Sequence, residues 1–149
     1  MKLQRGSSGP YQRSTVSVTF DGTAGLGGAA STTTFFTVTG EVIVVYLVPY
    51  VVASLTQSGA TPTLALGVVN STALFIAATT ATTLATGEFW TEATGGGTAN
   101  AGVAIPAALK EIAITSNVVG TVGGTLNING GTLRLDCYWL PLSSDGLVA

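Results

Sequence analysis

Few residues in this chain could do chemistry. The 149-residue sequence has no histidine, one cysteine, five basic and seven acidic side chains. Without histidine, a Ser-His or Cys-His nucleophile pair and a histidine metal site are excluded. Glu88 and Glu92 form the closest acid pair in the sequence, but along one strand they would lie about 13 Å apart, too far for the paired carboxylates of a retaining or inverting glycosidase. We therefore expect a protein that is not an enzyme and that needs no metal or cofactor.

The scarcity of charge also predicts how the protein's surface is used. Charged residues make up 8% of the composition, against roughly 25% in an ordinary soluble domain. Charge is what keeps a small domain soluble and monomeric, so we expect much of this surface to be covered by partners. Together with the apolar run described below, this favours a homotrimer within a larger assembly. A net charge of −2 gives no reason to expect a nucleic-acid partner.

Positive charge is concentrated at the N terminus. Three of the five basic residues, Lys2, Arg5 and Arg13, lie within the first 13 positions. We interpret residues 1–13 as an extended basic arm that contacts an acidic surface through these side chains and the Tyr11 ring. A solvated chain end is the alternative. Residues 14–149 are long enough for one domain with its own core.

No stretch of the sequence predicts a membrane-spanning helix. The longest apolar run, Val42 to Leu55, is interrupted by Pro49 and falls short of the roughly 20 residues that such a helix needs. We expect no membrane partner.

Short alternating segments separated by glycine-rich turns predict an all-β domain. About eight strands with almost no helix indicate a β-sandwich, with the jelly roll as the favoured subtype. One short helical turn is predicted at 81–86. The predicted strands, apart from a C-terminal hairpin, cover residues 14–20, 32–39, 41–55, 63–69, 72–78, 87–91 and 109–115.

The C-terminal third carries a hairpin signal. Asn129-Gly130 is the favoured centre of a type I′ turn. A two-residue turn there would place Leu126 opposite Leu133 and collect the apolar residues on one face, as a half-buried hairpin requires. Cys137 would lie on that face as a small buried hydrophobe. The face comprises Val122, Leu126, Ile128, Leu133, Leu135, Cys137 and Trp139.

Two segments carry the candidate interface residues. The 41–55 strand is apolar on both faces, which is typical of a strand that is central in its sheet or lies in an interface. Trp90 is predicted either to pack in the core or to anchor a partner on the surface. The candidates are Val42, Val44, Tyr46, Val48, Tyr50, Phe89 and Trp90.

Three motifs resemble small structural proteins of tailed bacteriophages. They are the ending Cys137-Tyr138-Trp139-Leu140-Pro141-Leu142-Ser143-Ser144-Asp145-Gly146, the segment Gly87-Glu88-Phe89-Trp90 and the segment Phe36-Thr37-Val38-Thr39-Gly40-Glu41-Val42. The resemblance covers about residues 35–146 and leaves the basic arm outside.

The resemblance implies a capsid decoration, or cement, protein. Such an all-β module trimerises and clamps neighbouring major capsid protein subunits, so its expected place is the outer capsid surface of a virion assembled in the host cytoplasm. No catalytic residues come with the resemblance. The alternative is a carbohydrate-binding or receptor-binding module of a tail or head fibre, with Trp90 and Tyr138 as stacking platforms.

Overall fold

Extended backbone dominates the chain, which confirms the predicted all-β class. The computed structural model describes residues 11–57, 59, 61–96 and 102–149. Two three-residue 3₁₀ turns, Ala81–Thr83 and Ala107–Leu109, interrupt the strands. The strands are β1 (Gln12–Thr19), β2 (Thr32–Phe36), β3 (Val38–Thr39), β4 (Val42–Thr56), β5 (Thr63–Val68), β6 (Ser71–Thr80), β7 (Trp90–Glu92), β8 (Gly95–Gly96), β9 (Lys110–Ile114), β10 (Val118–Gly123), β11 (Gly130–Pro141) and β12 (Leu147–Val148).

Two four-stranded antiparallel sheets enclose the core. The first has the order β1-β11-β4-β9 and the second the order β2-β10-β5-β6. Their inward side chains form one hydrophobic cluster, to which the first sheet contributes Leu47, Leu133 and Leu135 and the second contributes Leu64 and Leu66. Burial of these side chains is what holds the two sheets face to face. Two further strand pairs, β3 with β12 and β7 with β8, lie outside the main sheets.

The eight strands of the two sheets pair as a folded ribbon. Counted in chain order, the first strand pairs with the eighth (β1 with β11), the second with the seventh (β2 with β10), the third with the sixth (β4 with β9) and the fourth with the fifth (β5 with β6). Only the last pair is joined by a tight turn, at Val69-Asn70. The contacts β11–β4 and β10–β5 then join these pairs into sheets. Nearly all the pairing is therefore between segments far apart in sequence.

The predicted C-terminal hairpin is wrong, because β10 and β11 lie in different sheets. Neither residue of Asn129-Gly130 has the positive φ that a type I′ turn requires. The backbone N–H of Asn129 instead donates to the Thr56 carbonyl at 2.8 Å, and that of Ile128 donates to the Gly27 carbonyl at 2.8 Å. The segment between the strands thus crosses from one sheet to the other.

The side-chain pattern behind that prediction is nevertheless correct. Every apolar residue assigned to the buried face is buried except Leu126, which is half-buried. The alternation of apolar and polar residues along a strand indicates which face of that strand is buried, and this holds whichever strand is its neighbour. The buried residues are Val122, Ile128, Leu133, Leu135, Cys137 and Trp139.

Candidate interaction face

The outer side of the first sheet brings together aromatic and charged residues from four strands. Arg13 lies opposite Tyr138, which lies opposite Tyr46, which lies opposite Lys110. Residues directly opposite one another in an antiparallel sheet share a face. We call this surface the tyrosine–arginine face; it comprises Arg13, Thr15, Ser17, Tyr46, Val48, Tyr50, Lys110, Arg134, Asp136 and Tyr138.

A bulge in β4 decides which of its residues reach this face. Val44 pairs with Trp139 and Tyr46 with Tyr138, so Val45 has no partner of its own on β11. An extra residue in one strand reverses the side to which the following side chains point. Val44 and Val45 are both buried, whereas Tyr46 is 40% exposed. The residues after the bulge therefore present Tyr46, Val48 and Tyr50 to the outside.

Asp136 is the electrostatic centre of the face. Its carboxylate accepts hydrogen bonds from Arg13, through Nη2 and through Nε at 3.0 Å, and from Arg134 Nε at 3.1 Å. Asp136 is only 7% exposed, whereas the two arginine side chains are 53% and 42% exposed. Burial alone would raise the pKa of Asp136, but hydrogen bonds from Arg13 and Thr15 and the charges of both arginines outweigh it and lower that pKa. The acid therefore stays ionised and holds both guanidinium groups in place.

Aromatic rings flank the two guanidinium groups. The Arg134 guanidinium carbon lies 4.9 Å from the centroid of the Tyr50 ring, and that of Arg13 lies 6.0 Å from the centroid of the Tyr138 ring. Both distances are within the range of cation–π attraction. Tyr50 also packs edge-on against Phe89, with ring centroids 5.2 Å apart. These contacts leave the side chains little rotational freedom to lose when a partner binds.

The residue types of this face are those enriched in protein interfaces. Tyrosine and arginine are enriched in the residues that contribute most to interface affinity, while isolated lysine and acid side chains are depleted there. Of the five basic residues in the sequence, the three within the described part of the chain, Arg13, Lys110 and Arg134, all belong to this face. The only acid among the face residues, Asp136, is already paired with two of them.

The predicted arm residues fall into three groups. Lys2 and Arg5 lie outside the described residues. Tyr11 is exposed and immediately precedes β1. Arg13 belongs to β1 itself, which begins two residues before the predicted strand, and its guanidinium is bonded to Asp136 of the same chain. Arg13 is therefore a sheet residue and does not extend from the domain.

Several predicted interface residues belong to the core instead. Val42 and Val44 are fully buried because they precede the bulge and point between the sheets. Trp90 is also fully buried, and its indole N–H donates to Thr79 Oγ1 at 2.9 Å. A buried indole with a satisfied N–H is a packing residue, so Trp90 cannot be a surface anchor or a sugar platform. Phe89 is half-buried beside Tyr50.

Arg134 and Asp136 are not among the predicted site residues, although both alternate with the apolar residues of β11. Their spacing of two, which puts both on one face of a strand, was the available signal. Asp136 interacts with Arg13 across 123 positions of sequence. No local pattern could have indicated that contact.

Cys137 is fully buried, and burial raises the pKa of its thiol to about 12. Among the described residues, no cluster of three metal-ligating side chains occurs. In the same part of the chain, neither helical turn is long or apolar enough to cross a membrane.

A cavity of about 410 Å³ opens between the β9 side of the first sheet and the β5–β6 turn of the second. Its lining is mainly apolar and includes Val68, Leu74, Ile114 and Leu142, with Glu41 as its one ionisable group. It contains none of the predicted site residues.

Searches for similar proteins found no matching family model and no significant match among curated proteins or solved structures.

Proposed function

We propose that this chain is a structural virion protein that binds the outer surface of a bacteriophage capsid and bridges major capsid protein subunits. It acts as a binding partner and not as a catalyst. The observation that carries the proposal is the tyrosine–arginine face, a surface of interface composition on a chain in which only 8% of the residues are charged. Asp136 binds both arginines of the face, so their side chains are already positioned before a partner binds.

The fold is consistent with this role. We assign the two sheets to the jelly-roll subtype, because a ribbon in which the first strand pairs with the eighth and the fourth with the fifth is how a jelly roll is wound. Jelly rolls occur in viral capsid domains, but also in lectins. The fold alone therefore does not choose between capsid binding and sugar binding.

Exposure within the face favours a protein partner over a sugar. Trp90, one of the two stacking platforms considered for a glycan, is fully buried. Tyr138 is half-buried and lies beneath the Arg13 guanidinium. Tyr46 is the most exposed aromatic ring on the face, and one open ring surrounded by half-buried side chains resembles the centre of a protein interface.

The test is binding to purified expanded capsids that lack this protein. Tyr46→Ala should lower capsid occupancy at least tenfold, because truncating an interface tyrosine of this kind typically costs about 2 kcal/mol. Val69→Ala is the matched control, since Val69 is an exposed apolar residue in the β5–β6 turn, away from the face. Equal occupancy for both variants and the wild type would refute the role of the face. Binding to a glycan array without binding to capsids would support the fibre-module alternative.

The N-terminal arm belongs to the same proposal. Lys2, Arg5 and Tyr11 are proposed to contact the capsid, with Arg13 acting from within the sheet. Because β1 begins at Gln12, the appropriate deletion removes residues 1–10 and spares the strand. We expect this deletion to weaken capsid occupancy at least tenfold while circular dichroism still reports a folded β protein. Unchanged occupancy at physiological salt would show that the arm is a solvated chain end.

A further inference from the structure

The first sheet ends at β1, an edge strand. β1 is eight residues long, follows β11 without a register shift, and has a hydrogen-bonded neighbour on one side only among the described residues. Arg13 is its single charged residue. Long, regular edge strands of this kind readily pair with another chain, and proteins usually block them.

The other three edges of the two sheets are blocked or irregular. β9 is five residues long, carries Lys110 and Glu111, and Glu111 has a left-handed backbone at φ 56°. β6 has two register shifts against β5. β2 is five residues long and has a register shift against β10. Charge, short length and bulges are the usual ways of preventing edge pairing, and β1 lacks the last two.

The direction of the free backbone groups in β1 follows from one hydrogen bond. The N–H of Phe20 donates to the Gly131 carbonyl at 2.9 Å. Because hydrogen-bonding direction alternates along an antiparallel strand, the even-numbered residues of β1 direct their backbone groups toward β11. The odd-numbered residues, Arg13, Thr15, Ser17 and Thr19, therefore direct their N–H and C=O groups toward the open edge.

We propose that β1 pairs with β1 of a second copy of this chain, antiparallel and about a two-fold axis at Val16. This register uses all four outward-facing residues of each strand, because Arg13 lies opposite the second copy's Thr19 and Thr15 lies opposite its Ser17. The second copy's Arg13 lies opposite Thr19, six positions along the strand from Arg13. The two arginines are therefore about 20 Å apart. No like charges therefore face each other across the new pair.

The pairing extends the first sheet to eight strands. On the inner face, the half-buried Val16 side chains of the two copies meet at the axis. On the outer face, the two tyrosine–arginine faces become one continuous surface. Two identical faces on one particle allow bivalent attachment, which raises avidity when both can engage at once. The inference does not depend on what the face binds, because its evidence is the β1 edge.

Molar mass is the first test. Light scattering of the full-length chain after gel filtration should give about twice the 14.9 kDa of the chain at micromolar concentration. A mass of one chain would overturn the proposal. So would a mass of three chains, the state expected from composition, because a two-fold pair cannot generate it.

A cysteine pair tests the register directly. At the two-fold axis the residues opposite each other form a non-hydrogen-bonded pair with Cα atoms about 4.5 Å apart, within the range of a disulfide. Val16→Cys should therefore give a cross-linked dimer on a non-reducing gel after mild oxidation. Val18→Cys is the matched control, since the two Val18 positions lie four residues out of register, about 13 Å apart. The native Cys137 is fully buried and should not contribute.

Each outcome of the cysteine test is decisive. Strong cross-linking of Val16→Cys with little cross-linking of Val18→Cys supports the proposed pair. Cross-linking of neither variant, equal cross-linking of both, or preferential cross-linking of Val18→Cys overturns it. The reduced Val16→Cys protein should retain the mass of the wild type, which shows that the substitution has not disturbed the fold or the assembly.

Discussion

Replacing Asp136 with asparagine should destabilise the domain and loosen the tyrosine–arginine face. The carboxylate accepts bonds from Arg13 and Arg134, and hydrogen bonds to charged groups contribute roughly 1.5–3 kcal/mol each. Because both arginine side chains are about half exposed, water recovers much of their solvation when the partner is lost. We therefore expect the free energy of unfolding to fall by about 2 kcal/mol and Tm by about 4–8 °C.

The pH dependence of this loss of stability shows whether it comes from the charge of Asp136 or from packing. The pKa of Asp136 is lowered in the folded protein, whereas an unfolded aspartate titrates near about 3.9. Its stabilisation is therefore fully present above about pH 5 and is lost as the pH falls through 3.9 toward the folded pKa. The stability difference between wild type and Asp136→Asn should shrink in acid.

The assay is urea unfolding of both proteins at pH 7 and near pH 3, followed by tryptophan fluorescence. Glu92→Gln is the control, because Glu92 is an exposed acid with no ion pair among the described residues, and it should change stability by less than about 0.5 kcal/mol. An Asp136→Asn effect as small as the control's at pH 7 would refute the reasoning. A difference that grows as the pH falls would refute it equally.

Four further predictions concern the core. Thr33→Val should raise the free energy of unfolding by about 1 kcal/mol, because Thr33 is buried and its hydroxyl has no hydrogen-bond partner in the described structure. Thr79→Val should lower the free energy of unfolding by about 1–3 kcal/mol, because it leaves the Trp90 indole N–H unpaired. Chemical denaturation measures both changes, and a change in the same direction for both variants would contradict these predictions. Gly67→Ala should lower Tm by at least about 5 °C in a thermal melt, since its Cβ would lie 2.2 Å from a backbone oxygen of β6; an unchanged Tm would mean that β6 can move aside. Cys137 should resist a thiol reagent at pH 8 in the native protein and react once it is unfolded, because its thiol is buried with a pKa of about 12; rapid native labelling would show that the strand opens.

Local pattern in the sequence was sufficient for the class of fold and for most strand positions. Alternating apolar residues mark strands because side chains on a pleated strand point to opposite faces every second residue. The same alternation predicted correctly that Leu133, Leu135, Cys137 and Trp139 face a core. Low charge density was also readable directly from composition, although its consequence for assembly stays a prediction.

Strand pairing could not be predicted in the same way. Asn129-Gly130 is a strong turn signal, yet long-range pairing with β4 and β1 placed β11 in the other sheet from β10. The preference of a two-residue turn is a small energy compared with the burial of two apolar faces and the ladders of hydrogen bonds that the sheets provide. The tertiary structure therefore overrode the local preference.

The candidate face depended on tertiary structure most of all. From sequence alone, Val42, Val44, Tyr46, Val48 and Tyr50 share one side of a regular strand, but the bulge at Val45 leaves the first two in the core and turns the last three outward. A bulge arises from how two strands meet and has no reliable signature within one of them. The sequence by itself determined that this is a charge-poor β-sheet protein with an apolar interior. Which arginines meet Asp136, and which tyrosines lie beside them, was decided only when distant strands paired, because those contacts join residues that share no local pattern.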